Sequence, residues 1–379
     1  TTEIISITKS GGVFLITSKT YSMKSNIRSA SLYFKNPLNQ KHYVVSKGKF
    51  RKNADISFKL DLSSRKVTQD LYQEIHDLYV EYECDDGTFS TGLYATEEFD
   101  EVYSTGEYDY RLYREDMGRL SVEVKRKWRI YEDTPGKRLK HSKLSYRFFL
   151  KLPMHKKRII FESMWGAKYS CNPRYLYEYI DRNHPDWECV WVLHDKHIPV
   201  NGKAIRTRRF SLPYFYYLAT SKYLVNNVNF HDHYAKRPGQ REIQTMHGTP
   251  LKTLGLDVAA DFPTKIKEEN FVNKCSRWDY LTVQSDFVAN ITERCFRFTK
   301  KFLKYGYPRT DILYNKDNPD DIADLKEKMR LPRDKKVILY APTWRDNEYY
   351  EKGKYKFATE MDFDQMKSEL SDEYVLIVK

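Results

Sequence analysis

From Lys157 to the end of the chain, short apolar runs alternate with stretches of helical periodicity. This alternation limits the possible folds more than any other feature of the sequence. Arg158-Ile159-Ile160-Phe161-Glu162 has the composition of a buried strand, and residues 173–183 read as a helix. Residues 187–193 form the next strand-like run, 214–220 a helix, and Tyr223-Leu224-Val225-Asn226 a strand. Further on, 279–283 reads as a strand and 286–296 as a helix. Strands separated by helices must return by crossovers, so the sheet they form is parallel and doubly wound. Such sheets bind ligands beyond the carboxyl ends of their strands. Asn226, His247, Gln284-Ser285 and Gly306 each follow a predicted strand directly and are therefore expected on one edge of one cleft.

A second αβ unit begins near Asp320, with a helix expected over 320–329 and strands over 336–340 and 374–378. Two strands do not make a stable doubly wound domain, so these 379 residues are expected to be part of a longer protein. Residues 1–130 read differently. Runs at 13–16, 31–34, 56–60 and 78–82, punctuated by Gly11-Gly12 and Asp85-Asp86-Gly87, predict an all-β, sandwich-like accessory domain without a catalytic constellation. The expected organisation is that domain, a basic linker over 131–156, a Rossmann-like domain over 157–312, and the start of another over 313–379.

The richest short motif is His247-Gly248-Thr249-Pro250-Leu251-Lys252, placed after a strand expected over 243–246. A histidine can take or give a proton near neutral pH. A Gly-Thr turn or a helix start presents backbone N–H groups to phosphate oxygens. Lys252 adds a cation within one turn. On residue types alone, a structural turn with a hydrogen-bonded histidine is the competing reading.

Four ordered motifs extend the argument: Asn226-Asn227-Val228-Asn229-Phe230, the histidine motif itself, Tyr305-Gly306-Tyr307-Pro308-Arg309-Thr310-Asp311, and Ile338-Leu339-Tyr340-Ala341-Pro342-Thr343-Trp344-Arg345-Asp346. Together they resemble the CDP-glycerol glycerophosphotransferases, the teichoic-acid primases and polymerases, over about residues 156–379. Met246 and His231 depart from the usual family pattern, which often has tryptophan and proline there. The resemblance implies a GT-B-like pair of Rossmann-type domains, the second truncated here. It implies transfer of glycerol phosphate from CDP-glycerol to a hydroxyl of a lipid-linked teichoic-acid-type acceptor, with release of CMP. His247 would be the base. Gly248, Thr249, Lys252, Asn226, Gly306, Pro308, Arg309, Thr343 and Arg345 would contact substrate. Beyond CDP-glycerol as donor, no cofactor is expected. A CDP-ribitol polymerase and a GT-B glycosyltransferase remain alternatives with the same fold.

The net charge of +13 calls for an anionic partner. Within residues 137–158, Leu144, Phe148 and Leu152 recur at helical spacing beside Lys143, Arg147 and Lys151, with Phe149 widening the apolar face. A basic amphipathic helix of this kind suits an anionic membrane surface, here the inner face of the cell membrane with the enzyme peripheral and cytoplasmic. The alternative is a helix packed on the next domain. Nonenzymatic nucleic-acid binding is the rival from another class, but no zinc-finger, RNP-type or helix-turn-helix signature accompanies the charge. No run approaches the roughly 20 apolar residues of a membrane span. The five cysteines lack any CxxC pair and read as free thiols. His231-Asp232-His233 lacks a third ligand nearby, and Asp362-Phe363-Asp364 reads as a helix start, so no metal site is assigned.

Overall fold

A computed structural model describes residues 2–20, 26–35, 42–50, 55–115, 118–232, 234–329, 331–342, 349–351, 354–355 and 361–378. The chain divides into two compact units, Thr1–Pro308 and Arg309–Lys379.

Eleven strands occupy the amino-terminal part of the first unit: β1 (Thr2–Ser10), β2 (Val13–Thr20), β3 (Ile27–Lys35), β4 (His42–Lys47), β5 (Lys49–Phe50), β6 (Ile56–Asp61), β7 (Ile75–Cys84), β8 (Gly87–Ala95), β9 (Asp100–Ser104), β10 (Tyr108–Arg114) and β11 (Leu120–Arg126). The expected sandwich takes the form of one continuous, mixed sheet. The reason lies in β8. Its first residues pair antiparallel with β7, and its last three pair parallel with β1. One strand thus joins what would otherwise be two layers. Along β7 buried residues alternate with more exposed ones, as a half-buried strand requires. Its inward side chains Leu78, Val80 and Tyr82 meet Phe14, Phe58 and Leu112 in a single core.

Seven parallel strands follow: β12 (His155–Glu162), β13 (Glu188–Leu193), β14 (Ile205–Arg208), β15 (Ser221–Asn226), β16 (Arg241–Gln244), β17 (Tyr280–Thr282) and β18 (Lys301–Leu303). Their order is β14-β13-β12-β15-β16-β17-β18. The chain winds outward from β12 to β14, then returns to place β15 on the other side of β12. That reversal is the switch point of a doubly wound sheet, where adjacent loops part and leave a crevice. The carboxyl-terminal half of β12 and nearly all of β13 are buried, because helices cover both faces. Sequence reading located β12, β13, β15, β16 and β17 and placed Gly306 after a strand that it did not delimit, here β18; it passed over β14, whose Ile205-Arg206-Thr207-Arg208 shows no apolar run.

The eleven-stranded sheet is fastened to the parallel one by a fully buried carboxylate. Asp195 accepts from the Gln73 backbone N–H (3.1 Å), the Tyr108 hydroxyl (2.8 Å) and Arg126 Nη1 (3.3 Å), as well as the His197 N–H (3.0 Å). Arg208 reinforces the junction, donating to the carbonyls of Arg126 and Lys127 at 2.8 Å each and lying 3.6 Å from the centre of the Trp128 ring. Buried charges are tolerated only when satisfied in this way.

Between the two sheets runs a helical segment over 135–149. Thr134 caps its start and Pro135 occupies the first turn. Its middle, His141–Ser145, widens into π-type hydrogen bonding. Tyr146 is buried, and Phe149 and Leu150 pack on the core beside it. Leu144 and Phe148 point outward, at 58% and 61% exposure. The expected apolar stripe is therefore split: Phe149 turns inward, while Leu144 and Phe148 stay on the solvent side with Lys143, Arg147 and Lys151, all exposed.

The second unit pairs β19 (Lys336–Tyr340) in parallel with β22 (Tyr374–Val378) and contains a small hairpin, β20 (Tyr349–Glu351) with β21 (Lys354–Tyr355). Its longest helices are Pro319–Lys328 and Phe363–Leu370. Asp362 caps the latter, accepting from the backbone N–H groups of Asp364 (3.0 Å) and Gln365 (2.9 Å). Leu325, Val337 and Leu339 remain exposed, as two strands cannot cover both faces of their own sheet.

Candidate active-site edge

The carboxyl ends of β12, β15 and β16 carry an unusual density of buried polar side chains: Glu162, Ser163, Asn226, Asn227, Gln244 and Thr245, joined by Asn172 and Thr282. Their bonds converge on one residue. β16 ends at Gln244, two residues earlier than expected, because Met246 turns into the left-handed region at φ 51°. A non-glycine residue there costs of order 1 kcal/mol or more and persists only where its surroundings hold it. Here they do. Asn172 Nδ2 donates to the carbonyls of Thr245 (2.9 Å) and Met246 (3.0 Å), and the Thr282 hydroxyl donates to Thr245 O (2.9 Å). Gln244 Oε1 takes the Met246 N–H at 2.9 Å. The turn lifts His247 out of the sheet into solvent.

His247 Nδ1 lies 2.9 Å from the carbonyl of Asn227. A carbonyl only accepts, so Nδ1 carries a proton, and in the neutral ring the lone pair sits on Nε2. Nε2 has no hydrogen-bond partner among the described residues. Asn227 is itself fully buried: its Oδ1 takes the Met164 N–H (2.9 Å) and its Nδ2 donates to Ser163 Oγ (3.1 Å). The end of β12, the end of β15 and the histidine form one braced cluster. After β12 the chain makes a left-handed run through Met164, Trp165 and Gly166, with φ of 47°, 54° and 86°. Trp165 stays half exposed on this edge.

Gly248 and Thr249 share the His247 turn. Gly248 O accepts from the Tyr307 hydroxyl at 2.9 Å, and Thr249 Oγ1 from Gln284 Nε2. Lys252 is exposed on the same loop. No α-helix starts here. Two short 3-10 turns, Gly255–Asp257 and Ala259–Asp261, precede the helix Lys265–Cys275. Of the two cradles the sequence allowed, a turn or a helix start, this loop offers the turn, with a cation beside it. Asn226 lies at the same edge. Its side chain is buried, with Nδ2 3.3 Å from Glu162 Oε1 and Oδ1 accepting the Val228 N–H at 2.6 Å, so it braces the site without facing it. Gly306, at φ 81°, makes the turn after β18 that no side chain would favour. Pro308 closes the first unit and Arg309 opens the second. Thr343 and Arg345 lie outside the described residues, as does His233.

Sequence reading missed Asn172, Asn227 and Tyr307 as site residues. Asn227 and Tyr307 sit inside motifs already singled out, one position from residues that were chosen. Asn172 gave no signal, because its role depends on where the helix Cys171–Asn183 lands.

Glu162 completes the electrostatics. It is fully buried, 3.3 Å from Arg209 Nε, with Oε2 lacking a hydrogen-bond partner among the described residues. Burial pushes its carboxyl up to about 7, against the opposing pull of Arg209. Tyr214 and Phe215 of the helix before β15 are fully buried and pack on the sheet.

Fold and edge together define a Rossmann-type α/β protein with a braced histidine at the carboxyl ends of its strands. Residues 144–379 match the family CDP-Glycerol:Poly(glycerophosphate) glycerophosphotransferase, and the chain belongs to it. It is 40% identical over 235 residues to a teichoic acid poly(glycerol phosphate) polymerase of Bacillus subtilis, covering 60% of this chain and 32% of that protein. It is 34% identical over 259 residues to a teichoic acid glycerol-phosphate transferase of Staphylococcus aureus, covering 66% of each. A solved structure of the wall teichoic acid polymerase TagF superposes with a TM-score of 0.59 at 34% identity, covering 64% of this chain and 61% of that one. The chain thus spans from a third to two thirds of the length of these relatives.

Proposed function

We propose that the protein transfers glycerol phosphate from CDP-glycerol to a hydroxyl of a lipid-linked, poly(glycerophosphate)-type acceptor, releasing CMP. The observation that carries this reading is the His247 tautomer: Nδ1–H tied to the Asn227 carbonyl, Nε2 turned to solvent. Nε2 takes the proton of the acceptor hydroxyl as its oxygen attacks the phosphorus that bears the glycerol. The bond from that phosphorus to the bridging oxygen breaks, and CMP leaves with the electron pair. The turn N–H groups of Gly248 and Thr249, with Lys252, stabilise charge on the transferred phosphate. Gly306 and Pro308 shape the neighbouring turn, while Arg309, Thr343 and Arg345 serve the donor. The relatives' names support glycerol phosphate as the transferred group, and one solved TagF structure was soaked with CDPG.

The second unit is, on this reading, the start of the donor-side Rossmann domain in a GT-B pair, and residues 1–130 are an accessory module. Exposed Leu144 and Phe148, flanked by cations, favour contact with an anionic membrane, placing the enzyme peripherally on its cytoplasmic face. No described helix is long and apolar enough to cross a membrane.

The test is CMP release from CDP-glycerol by the full-length gene product, with membranes or a lipid-linked glycerophosphate primer as acceptor, and with CDP-ribitol and UDP-sugars alongside. Acceptor-dependent release that collapses in His247→Ala is expected. Release from CDP-ribitol alone would keep the mechanism and change the substrate. A folded full-length protein that turns over no donor would end the transferase reading.

A further inference from the structure

A cavity of about 480 Å³ opens between the helical segment 135–149 and the carboxyl edge of the parallel sheet. Arg138, Leu139 and Ser142 line it from the segment; Arg209, Phe210 and His231 line it from the turns after β14 and β15. The volume is in the range of small-molecule sites. The acid on its rim, Asp232, is held by Lys274 at 2.7 Å.

Its two guanidiniums are preset. The Arg209 side chain is only 10% exposed, and its guanidinium carbon lies 4.3 Å from the centre of the Phe210 ring. Nε faces Glu162, and no acceptor engages the two Nη groups among the described residues. Phe210 adopts φ 66°, a strained backbone for an aromatic residue, which holds its ring against both Arg209 and His231. Arg138 lies 4.4 Å from the centre of the Trp128 ring and commits one Nη to the Glu132 carbonyl at 2.6 Å. A guanidinium stacked on a ring keeps its in-plane N–H groups available, the geometry that phosphate oxygens accept. Glu162, with its carboxyl pushed up to about 7 by burial, offsets Arg209 incompletely near neutral pH.

The remaining wall is apolar: Pro135, Leu139 and Phe210. Leu144 and Phe148, exposed on the same segment, continue that character outward. The cavity also adjoins the histidine cluster. A Cβ placed on Gly166 would sit 3.4 Å from Arg209 Cδ, and the Gly166 turn runs back through Met164 to Asn227, which holds His247.

We propose that this pocket binds a phosphate group carried on an apolar chain, the phosphorylated end of the lipid that anchors the acceptor. This deepens the acceptor reading above and rests on it. The two arginines take the phosphate, the Phe210–Leu139 wall takes the first carbons of the chain, and the free end of the acceptor extends along the sheet edge toward His247.

Calorimetric titration of the intact chain with farnesyl phosphate tests this, with farnesol, inorganic phosphate and phosphatidylglycerol vesicles as comparators. Farnesyl phosphate is expected to bind at least tenfold more tightly than farnesol or inorganic phosphate. Arg138→Gln, at a partly buried position, is expected to weaken it about tenfold. Arg209→Lys keeps a charge opposite Glu162 but loses the fork, and is expected to weaken it by a similar factor. Absence of binding by folded protein, or affinity unchanged in both variants, would overturn the proposal. So would equal affinity for inorganic phosphate. Displacement of farnesyl phosphate by phosphatidylglycerol vesicles, with the same sensitivity to Arg138→Gln, would give the pocket to bulk phospholipid and overturn the acceptor assignment. The titration needs neither donor nor turnover. An empty pocket therefore leaves the transferase reading standing, and failure of CMP release leaves the titration readable.

Discussion

The two sheets of the first unit are built on opposite principles. The eleven-stranded sheet closes on a core of aliphatic and aromatic side chains, with few buried polar groups. The parallel sheet has apolar faces, yet at the carboxyl ends of its strands it buries amides, hydroxyls and a carboxylate within a few residues of one another. Burying a polar group costs free energy unless it is paired. An edge where pairing is this dense is one where the chain must hold a particular geometry, and here that geometry is the exposed His247 ring. The apolar core packs without any such constraint. The polar edge holds one imidazole in place.

Substitutions can break that contrast or sharpen it. His247→Ala should have the largest effect, lowering acceptor-dependent CMP release roughly 10²–10⁴-fold with little change in melting temperature. A large stability loss instead would mean the histidine is structural. Leu78→Ala in the eleven-stranded core should cost about 2–5 kcal/mol in denaturant unfolding while leaving turnover per folded molecule unchanged. A parallel fall in turnover would join the two regions functionally.

A third prediction uses pH. Burial pushes both Glu162 and Glu242, each fully buried in the parallel sheet, up to about 7. A carboxyl raised above its unfolded value binds its proton more tightly in the folded state, so stability falls as pH rises from about 4.5 to 7 and levels off above. Each group accounts for about 3 kcal/mol of that fall. Glu242→Gln should flatten the slope between pH 5 and 7 when unfolding is measured across that range; an unchanged slope would place the titration elsewhere. Smallest is Asn172→Ala, which takes the Asn172 donor from the Met246 carbonyl and leaves the Thr245 carbonyl with Thr282, at a cost of about 1–3 kcal/mol. It should lower kcat more than it raises KM, because the turn under His247 loosens while the binding groups stay. The reverse split would give Asn172 a part in substrate binding.

Periodicity alone made the parallel sheet legible. Its strands are short apolar runs between helices, and that pattern admits few alternatives. Histidine after a strand, within a loop of glycine, threonine and lysine, likewise pointed to the carboxyl edge of the sheet, beside the end of β15. What escaped was anything set by three-dimensional convergence. Asn172 reaches Met246 from a helix more than seventy residues earlier, and no spacing records that. Asn226 was chosen where its neighbour Asn227 bears on the histidine, because a strand end does not reveal which residue turns inward. The basic helix read as one apolar stripe, but Phe149 packs on the core while Leu144 and Phe148 face solvent. β14 reads Ile205-Arg206-Thr207-Arg208, with no apolar run to mark it.

The Asp195 junction has a practical meaning for anyone who would cut this protein down. The family match begins at residue 144, and a truncation there looks natural on an alignment. Three of the groups that satisfy Asp195, from Gln73, Tyr108 and Arg126, lie upstream of that cut, and so does Tyr72, whose ring fills a place in the core of the parallel sheet. A trimmed fragment would leave Asp195 with His197 in place of four donors, and a hole where Tyr72 sits. Expression boundaries for this chain are better drawn around the junction than at the edge of the alignment.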